Sequence, residues 1–251
     1  VLGWDRARLL TDGDSVVPSA ERERFRWLVG MRATRRPLQH LIGTQAFWRH
    51  EFLVTPDVLI PRPETEILVE AALQRLASVP KPRVADVGTG SGCIALSVAA
   101  EIPAAEVHAV DVSEAALVVA RENAARLGLA ARVQFHRGDL LAPVRGLRFD
   151  AILSNPPYVD RATAGELAPE VRDHEPALAL FPAGDAYAIY RRLIPEAALC
   201  LVPGGLLLLE VGQGMADTVA GLCSSAGVEV ESVLEDLQGI PRTVVARASP
   251  G

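Results

Sequence analysis

At 251 residues, 49% of them hydrophobic, the chain holds apolar material for one large domain or for a domain with an appendage. Its net charge of −6 is uneven, with nine arginines against five acidic residues in 1–50 and 16 basic against 26 acidic in 51–251. The acidic body argues against tight nonspecific nucleic-acid binding, and the absence of any apolar run near the roughly 20 residues that cross a bilayer argues against a membrane span.

No secretory pattern opens the chain. It begins with Val rather than Met, which reads as a trimmed chain. Cys93, Cys200 and Cys223 are an odd number without zinc-type spacing, so neither disulfides nor a metal site is expected, and the expected compartment is reducing and cytoplasmic. The five histidines are scattered and read as structural or surface residues.

Residues 1–40 read as a small helical unit. Its clearest helix follows Ser19, a capping residue, with Phe25, Leu28 and Val29 on one face. The basic charge of this front end reads first as a solvated helix face and second as a surface for an acidic partner. Residues 41–60 alternate loosely and read as a hairpin-like linker. A helix with Leu68, Ala71, Ala72 and Leu76 on one stripe follows Pro61-Arg62-Pro63-Glu64-Thr65-Glu66.

From residue 83 strands and helices alternate. Strands are predicted over 83–87, 107–110, 133–136 and 148–153, with helices over 93–101 and after Ser113, the latter stopping at Gly128. Residues 159–184 read as a long connection and a candidate lid. A helix over 186–201 carries Pro195, which should kink or split it. Pro203-Gly204-Gly205 then turns into an apolar strand over 206–211, followed by a helix over 215–226 and strands near 228–235 and 242–247. This alternation predicts a mostly parallel sheet with helices on both faces, its last strand reversed because no helix precedes it. The division expected is 1–40, 41–60 and 61–251.

Chemistry concentrates at the carboxyl ends of these strands, where open α/β sheets bind ligands. Asp86-Val87-Gly88-Thr89-Gly90-Ser91-Gly92 joins the first strand to its helix, and its glycines let the backbone approach a ligand. The spacing is not that of the dinucleotide fingerprint. Asp111, with Val112 beside it, ends the second strand and can accept both hydroxyls of a ribose. Asp139 and Leu140 follow the third, where an acid can accept from an adenine amino group and an apolar chain can cover the ring. One glycine turn fits tight packing as well as a nucleotide; three such sites in register point to a nucleotide-like cofactor. S-adenosylmethionine fits better than NAD, because no hydride-transfer acid is evident and an acid at the turn can hold an ammonium group.

The fourth strand ends in Ser154-Asn155-Pro156-Pro157-Tyr158. The prolines stop the ladder and stiffen the turn. The Asn155 side-chain carbonyl and the Pro156 carbonyl give two acceptors for a planar –NH2 group, and Tyr158 offers a flat face to stack on it. The plain alternative is a strand-ending turn.

Taken together, Asp86–Gly92, Asp111, Asp139 and Asn155-Pro156-Pro157-Tyr158 resemble class I, Rossmann-like S-adenosylmethionine-dependent methyltransferases acting on planar nitrogen. Phe47-Trp48, Pro61–Glu66, Asp173-His174-Glu175-Pro176 and the ending Asp236–Arg242 narrow the resemblance to the PrmC/HemK family, the release factor glutamine methyltransferases, over nearly all of 20–247. The resemblance implies a seven-stranded sheet, a small N-terminal substrate-docking domain, longer in the family than residues 1–40, and N5-methylation of the glutamine in the Gly-Gly-Gln loop of class I peptide-chain release factors. It assigns catalysis and substrate binding to Asn155, Pro156, Pro157 and Tyr158, with Asn155 also at the cofactor. Pro241 departs from the charged residue usual before the final Arg. A monomer without direct nucleic-acid contact is expected. Two rivals stay open. A DNA or RNA amino-methyltransferase shares the Asn-Pro-Pro-Tyr turn, and a noncatalytic cofactor-sensing protein would keep the glycine turn.

Overall fold

The computed structural model describes residues 1–250. Helices α1 (Arg6–Thr11), α2 (Ser19–Ala33) and α3 (Leu38–Ile42) open it, and none contains a fully buried residue. Ser19 does not cap α2. It is the first helical residue, and Pro18 stands at the cap with φ −57° and ψ 154°. The ring of Pro18 fixes that φ, so a side-chain hydroxyl is not needed to begin the helix. Of the predicted face, Phe25 and Val29 are 59% and 51% exposed and Leu28 is half-buried, so most of it is uncovered.

The hairpin is present as β1 (Thr44–Phe47) paired antiparallel with β2 (His50–Leu53). Phe47 and Phe52 are buried edge-to-face at 6.0 Å between ring centroids. They join the same core as Leu68, Leu96 and Leu153, so the hairpin is built into the main body. Trp48 turns the hairpin at φ +54°. Its backbone N–H donates to Glu66 at 2.7 Å and its indole N–H to Glu101 at 2.9 Å.

The body follows as α4 (Thr65–Leu76), β3 (Arg83–Val87), α5 (Cys93–Glu101), β4 (Glu106–Asp111), α6 (Glu114–Arg126), β5 (Val133–Arg137) and β6 (Phe149–Ser154). The connection after β6 carries the short helices α7 (Pro169–Arg172) and α8 (Ala177–Leu180). Then come α9 (Ala188–Cys200), β7 (Leu201–Glu210), α10 (Ala216–Ser225), β8 (Val228–Glu235) and β9 (Pro241–Ala248). The seven strands lie in the order β5-β4-β3-β6-β7-β9-β8. The first five in that order run parallel, and β9 is antiparallel to both neighbours. Alternate residues of β7 serve opposite faces, as a two-residue period requires. Leu206 and Leu208 pack with α4 and α5, while Leu207 and Leu209 pack with α9 and α10.

Two local expectations are corrected. Pro195 neither splits α9 nor ends it. It lies on the exposed side, as does Arg191, whose carbonyl loses its usual N–H donor and is left facing water. Strand β7 begins at Leu201 rather than after Gly205, with an irregularity against β6 between Phe149 and Ala151. A Cβ at Gly205 would stand 3.0 Å from the Phe149 carbonyl, so glycine is what allows the chains to approach there. Pro241 leaves the last hairpin intact. It is the first residue of β9, where a missing N–H is tolerated, and Arg242 Nε donates to Asp236 at 2.9 Å beside it. Among the described residues no helix is long and apolar enough to cross a membrane.

Candidate active site

The carboxyl ends of β3, β4 and β6, with the turn after β5, open onto one cavity of about 480 Å³, within the usual size of small-molecule sites. Gly88, Thr89, Gly90, Ser91, Asp111, Val112, Asp139, Leu140, Asn155, Pro156 and Pro157 line it. Asp86, Gly92 and Tyr158, also singled out in the sequence, stand behind the wall.

The glycine turn takes positive φ at Gly88 (76°), Gly90 (55°) and Gly92 (83°). The N–H groups of Gly88 and Thr89 donate to the Val110 carbonyl at 2.8 and 3.0 Å, pinning the turn to β4. Asp111 accepts from Gly90 N at 2.9 Å and from Ser113 N at 2.9 Å. Its carboxylate is therefore aimed by backbone amides, and each oxygen keeps a lone pair for a ligand. Buried Asn123 accepts from Leu53 N and donates to the carbonyls of Leu53 and Ser91, tying the hairpin to the same turn.

Asp86 is fully buried. Its Oδ2 accepts from Thr89 Oγ1 at 2.6 Å and from Ala95 N at 3.1 Å, while Oδ1 has no partner among the described residues. Burial pushes its pKa up to about 7 against the lowering effect of those two bonds. A buried unpaired carboxylate oxygen is costly, and a cationic N–H donor would relieve it. Asp139 is exposed and pairs with Arg192, which also lines the cavity. Leu140 sits at φ +47° with its side chain packed into the core beside the cavity.

Asn155 Nδ2 donates to Thr65 Oγ1 at 3.2 Å, and Thr65 Oγ1 donates to Glu210 Oε2 at 2.6 Å. Tyr158 faces inward: its hydroxyl is 3.5 Å from Glu210 Oε1 and its ring packs against Gly212, where a Cβ would come within 3.0 Å. The structure thus brings Asn155, Pro156 and Pro157 to the cavity and takes Tyr158 away from it. Phe47 and Trp48 also lie elsewhere, in core packing.

The connection after β6 closes one side through Pro176, Leu178, Phe181 and Pro182. It is tied through two carboxylates, each with two partners. Arg62 Nη2 donates to Glu175 at 2.6 Å, Ile60 N donates to the same carboxylate at 3.3 Å, and Arg32 at the end of α2 and Arg35 just after it each reach Glu170 at 2.8 Å. These bonds strap the connection as a wall of the cavity.

Residues 63–171 match the Methyltransferase small domain family, and residues 1–43 match the PrmC N-terminal domain. The release factor glutamine methyltransferase of Moorella thermoacetica is 47% identical over 251 residues, 98% of this chain and 88% of that protein. The chain belongs to the release factor glutamine methyltransferase family. A second member, from Cereibacter sphaeroides, is 47% identical over 243 residues, 97% of this chain and 86% of its own length. The solved structure of a methyltransferase from Pyrococcus furiosus aligns with a TM-score of 0.58 over 92% of this chain and all of that one, at 18% identity, which is a likeness of fold.

In this member of the release factor glutamine methyltransferases, Thr65, Glu210, Glu175 and Arg192 were not singled out by sequence reasoning for the site. Glu210 carried a usable signal. It is a carboxylate directly after Leu206–Leu209, at the carboxyl end of a buried strand, where an unpaired charge would be costly. Thr65 lies in the Pro61–Glu66 motif that marks the family, but a threonine opening a helix gives no local sign of a role at the site.

Proposed function

We propose that this enzyme transfers a methyl group from S-adenosylmethionine to the N5 nitrogen of the glutamine in the Gly-Gly-Gln loop of class I peptide-chain release factors. The observation that carries the reading is Asn155, whose Nδ2 is held on Thr65 so that Oδ1 is the atom left for a substrate amide. The cofactor fit is supported by the cavity and by the unpartnered Oδ1 of Asp86. In this reading Asp86, behind the glycine turn, supplies negative charge at the ammonium end, Gly88–Ser91 line the middle, Asp111 with Val112 takes the ribose, and Asp139 with Leu140 takes the adenine. S-adenosylmethionine supplies, when bound, an electrophilic methyl group on a sulfonium.

The chain's own work is orientation. An amide nitrogen is a weak nucleophile because its lone pair is delocalised into the carbonyl. Asn155 Oδ1 and the Pro156 carbonyl accept its two N–H groups and aim the nitrogen. Both acceptors tighten as the nitrogen becomes acidic, and the proton then leaves to water. Orientation of this kind supplies roughly 7–11 kcal/mol in well-placed systems. Pro157 stiffens the turn. Tyr158, packed on Gly212 and facing Glu210, supports it from behind instead of stacking on the substrate. Labelled cofactor offered with release factor, DNA or rRNA tests the assignment. Label on the release factor glutamine supports it, and label only on nucleic acid refutes it. The cytoplasm is the compartment this substrate requires, and a monomer suffices for the site.

Release factor docking is assigned to residues 1–40. Arg22, Arg24 and Arg26 are exposed beside Phe25 and Trp27, and they form no ion pair among the described residues. Reversing the three to Glu in the full chain should lower kcat/KM for whole release factor at least about tenfold at low salt, an effect that added salt screens. Methylation of a short Gly-Gly-Gln peptide should not change. Equal losses on both substrates would remove the docking role.

Cofactor affinity should fall with acid. With a pKa near 7, Asp86 is protonated below that pH and no longer offers a negative charge to an ammonium. Affinity should weaken by up to about tenfold per pH unit below 7, with a proton released on binding at pH 6. Calorimetry in two buffers reads both quantities, and a flat profile would take Asp86 out of the site. Linkage has the opposite sign for the cofactor-free fold. A raised carboxyl pKa contributes stability below the unfolded value near 3.8 that is lost as pH rises to about 7.

A further inference from the structure

We propose that Thr65 and Glu210 are positioning residues that decide which end of the Asn155 amide faces the substrate, an inference that rests on the reading of Asn155 above. An amide and its flipped form fill nearly the same space, so shape alone does not choose between them. Donor counting does. A carboxylate only accepts, and Glu210, 2% exposed at the end of β7, lies 2.6 Å from Thr65 Oγ1. Thr65 has one hydroxyl proton, and it goes to Glu210. What Thr65 presents to Asn155 is therefore a lone pair, which Nδ2 meets at 3.2 Å. The flipped amide would set two acceptors against each other and turn an –NH2 group toward the substrate –NH2 group. The relay joins three elements that meet only in the fold, namely the start of α4, the end of β6 and the end of β7.

The relay has a protonation dependence. The groups facing Glu210 are Glu64 beside Thr65, Tyr158 from the turn after β6, Arg242 from β9, Cys93 from the start of α5 and Tyr190 from α9, whose hydroxyl donates to the Glu210 backbone carbonyl at 2.7 Å. Burial pushes the Glu210 pKa up to about 7, opposed first by its bond from Thr65. A protonated Glu210 can donate to Thr65, which frees the threonine proton to turn toward Asn155 and favours the flipped amide. Turnover should therefore fall on the acid side of neutrality even with cofactor and substrate saturating.

The test uses the full chain, whole release factor and the variants T65V, T65S, E210Q and N155A. T65V keeps the shape and removes the hydroxyl. It should lower kcat at least tenfold, with KM for release factor and calorimetric affinity for S-adenosylhomocysteine within about threefold. T65S should recover most of that loss. E210Q, whose amide can donate to Thr65, should lower kcat and flatten the acid limb of its pH profile. Wild-type kcat with an unchanged acid limb in T65V, or a T65S variant as impaired as T65V, overturns the relay. N155A separates the two levels of the argument. If N155A methylates normally the reading of Asn155 fails, whereas an inactive N155A beside a fully active T65V sinks the relay alone.

Discussion

Asn155→Ala should lower single-turnover methylation of release factor at least about 10²-fold, the loss that follows when a reacting group is misplaced, with cofactor affinity falling only modestly. The substitution removes an acceptor at the cavity wall and leaves the glycine turn, Asp111 and Asp139 as they are. Asn155 is part-buried at the end of β6, outside the apolar core, so truncation leaves no core cavity. Asn155→Asp is the sharper variant. Counting acceptors on the substrate side predicts rescue, because a carboxylate accepts well. The structure predicts failure, since residue 155 and Glu210 would then both need the single proton of Thr65. Asp also brings a second negative charge near a buried carboxylate. Rapid-quench methylation, with cofactor affinity measured alongside, decides both variants. An Asn155→Ala enzyme running near the parent rate would end this account of the chemistry.

Arg62→Ala should destabilise the fold by about 3 kcal/mol, the lower end of the cost of stripping one partner from a buried pair. The Glu175 side chain is 1% exposed and that of Arg62 is 32% exposed. Removing the more exposed partner leaves the buried charge with only the 3.3 Å bond from Ile60 N. Neutralising the buried partner instead, with Glu175→Gln, keeps an acceptor for Ile60 and leaves Arg62 with access to water. Arg62→Ala should therefore be the worse of the two, with a thermal midpoint lower by roughly 6–12 °C at about 2–4 °C per kcal/mol for a chain this size. The wall formed by Pro176 and Leu178 should loosen with it. Thermal melts of both variants give the answer, and an unchanged midpoint in Arg62→Ala would show that the strap contributes little.

The parts legible in the sequence are those fixed by neighbours in the chain. Asp86–Gly92 is legible because its glycine turn recurs in register with acids at the ends of the next two strands, which together point to a nucleotide-like ligand. The strand predicted over 148–153, found over 149–154, is legible because two prolines follow it. The relay from Glu210 through Thr65 to Asn155 was not legible, since its links span 145 and 90 residues and exist only once β6 and β7 lie side by side over α4. The inward position of Tyr158 was not legible for the same reason. Nothing local says that Gly212 leaves a space into which its ring turns. Pro195 shows the limit from the other side. The local rule predicts a kink or a split, and with Pro195 and Arg191 on the exposed side the helix is not split.

The reversed strand has a consequence for how the polypeptide comes together during synthesis. In the sheet β8 pairs only with β9, and β9 lies between β8 and β7. Residues 228–235 therefore have no edge to join until 241–248 have emerged and slid into the gap. Until then the row Leu206–Leu209 lies along an open edge, the kind of surface on which nascent chains stick to one another. A message cut short before Pro241 would yield a chain with its glycine turn and Asn155 complete but with that edge bare. Such a product should be recovered bound to chaperones or in aggregates, not as a weakened enzyme.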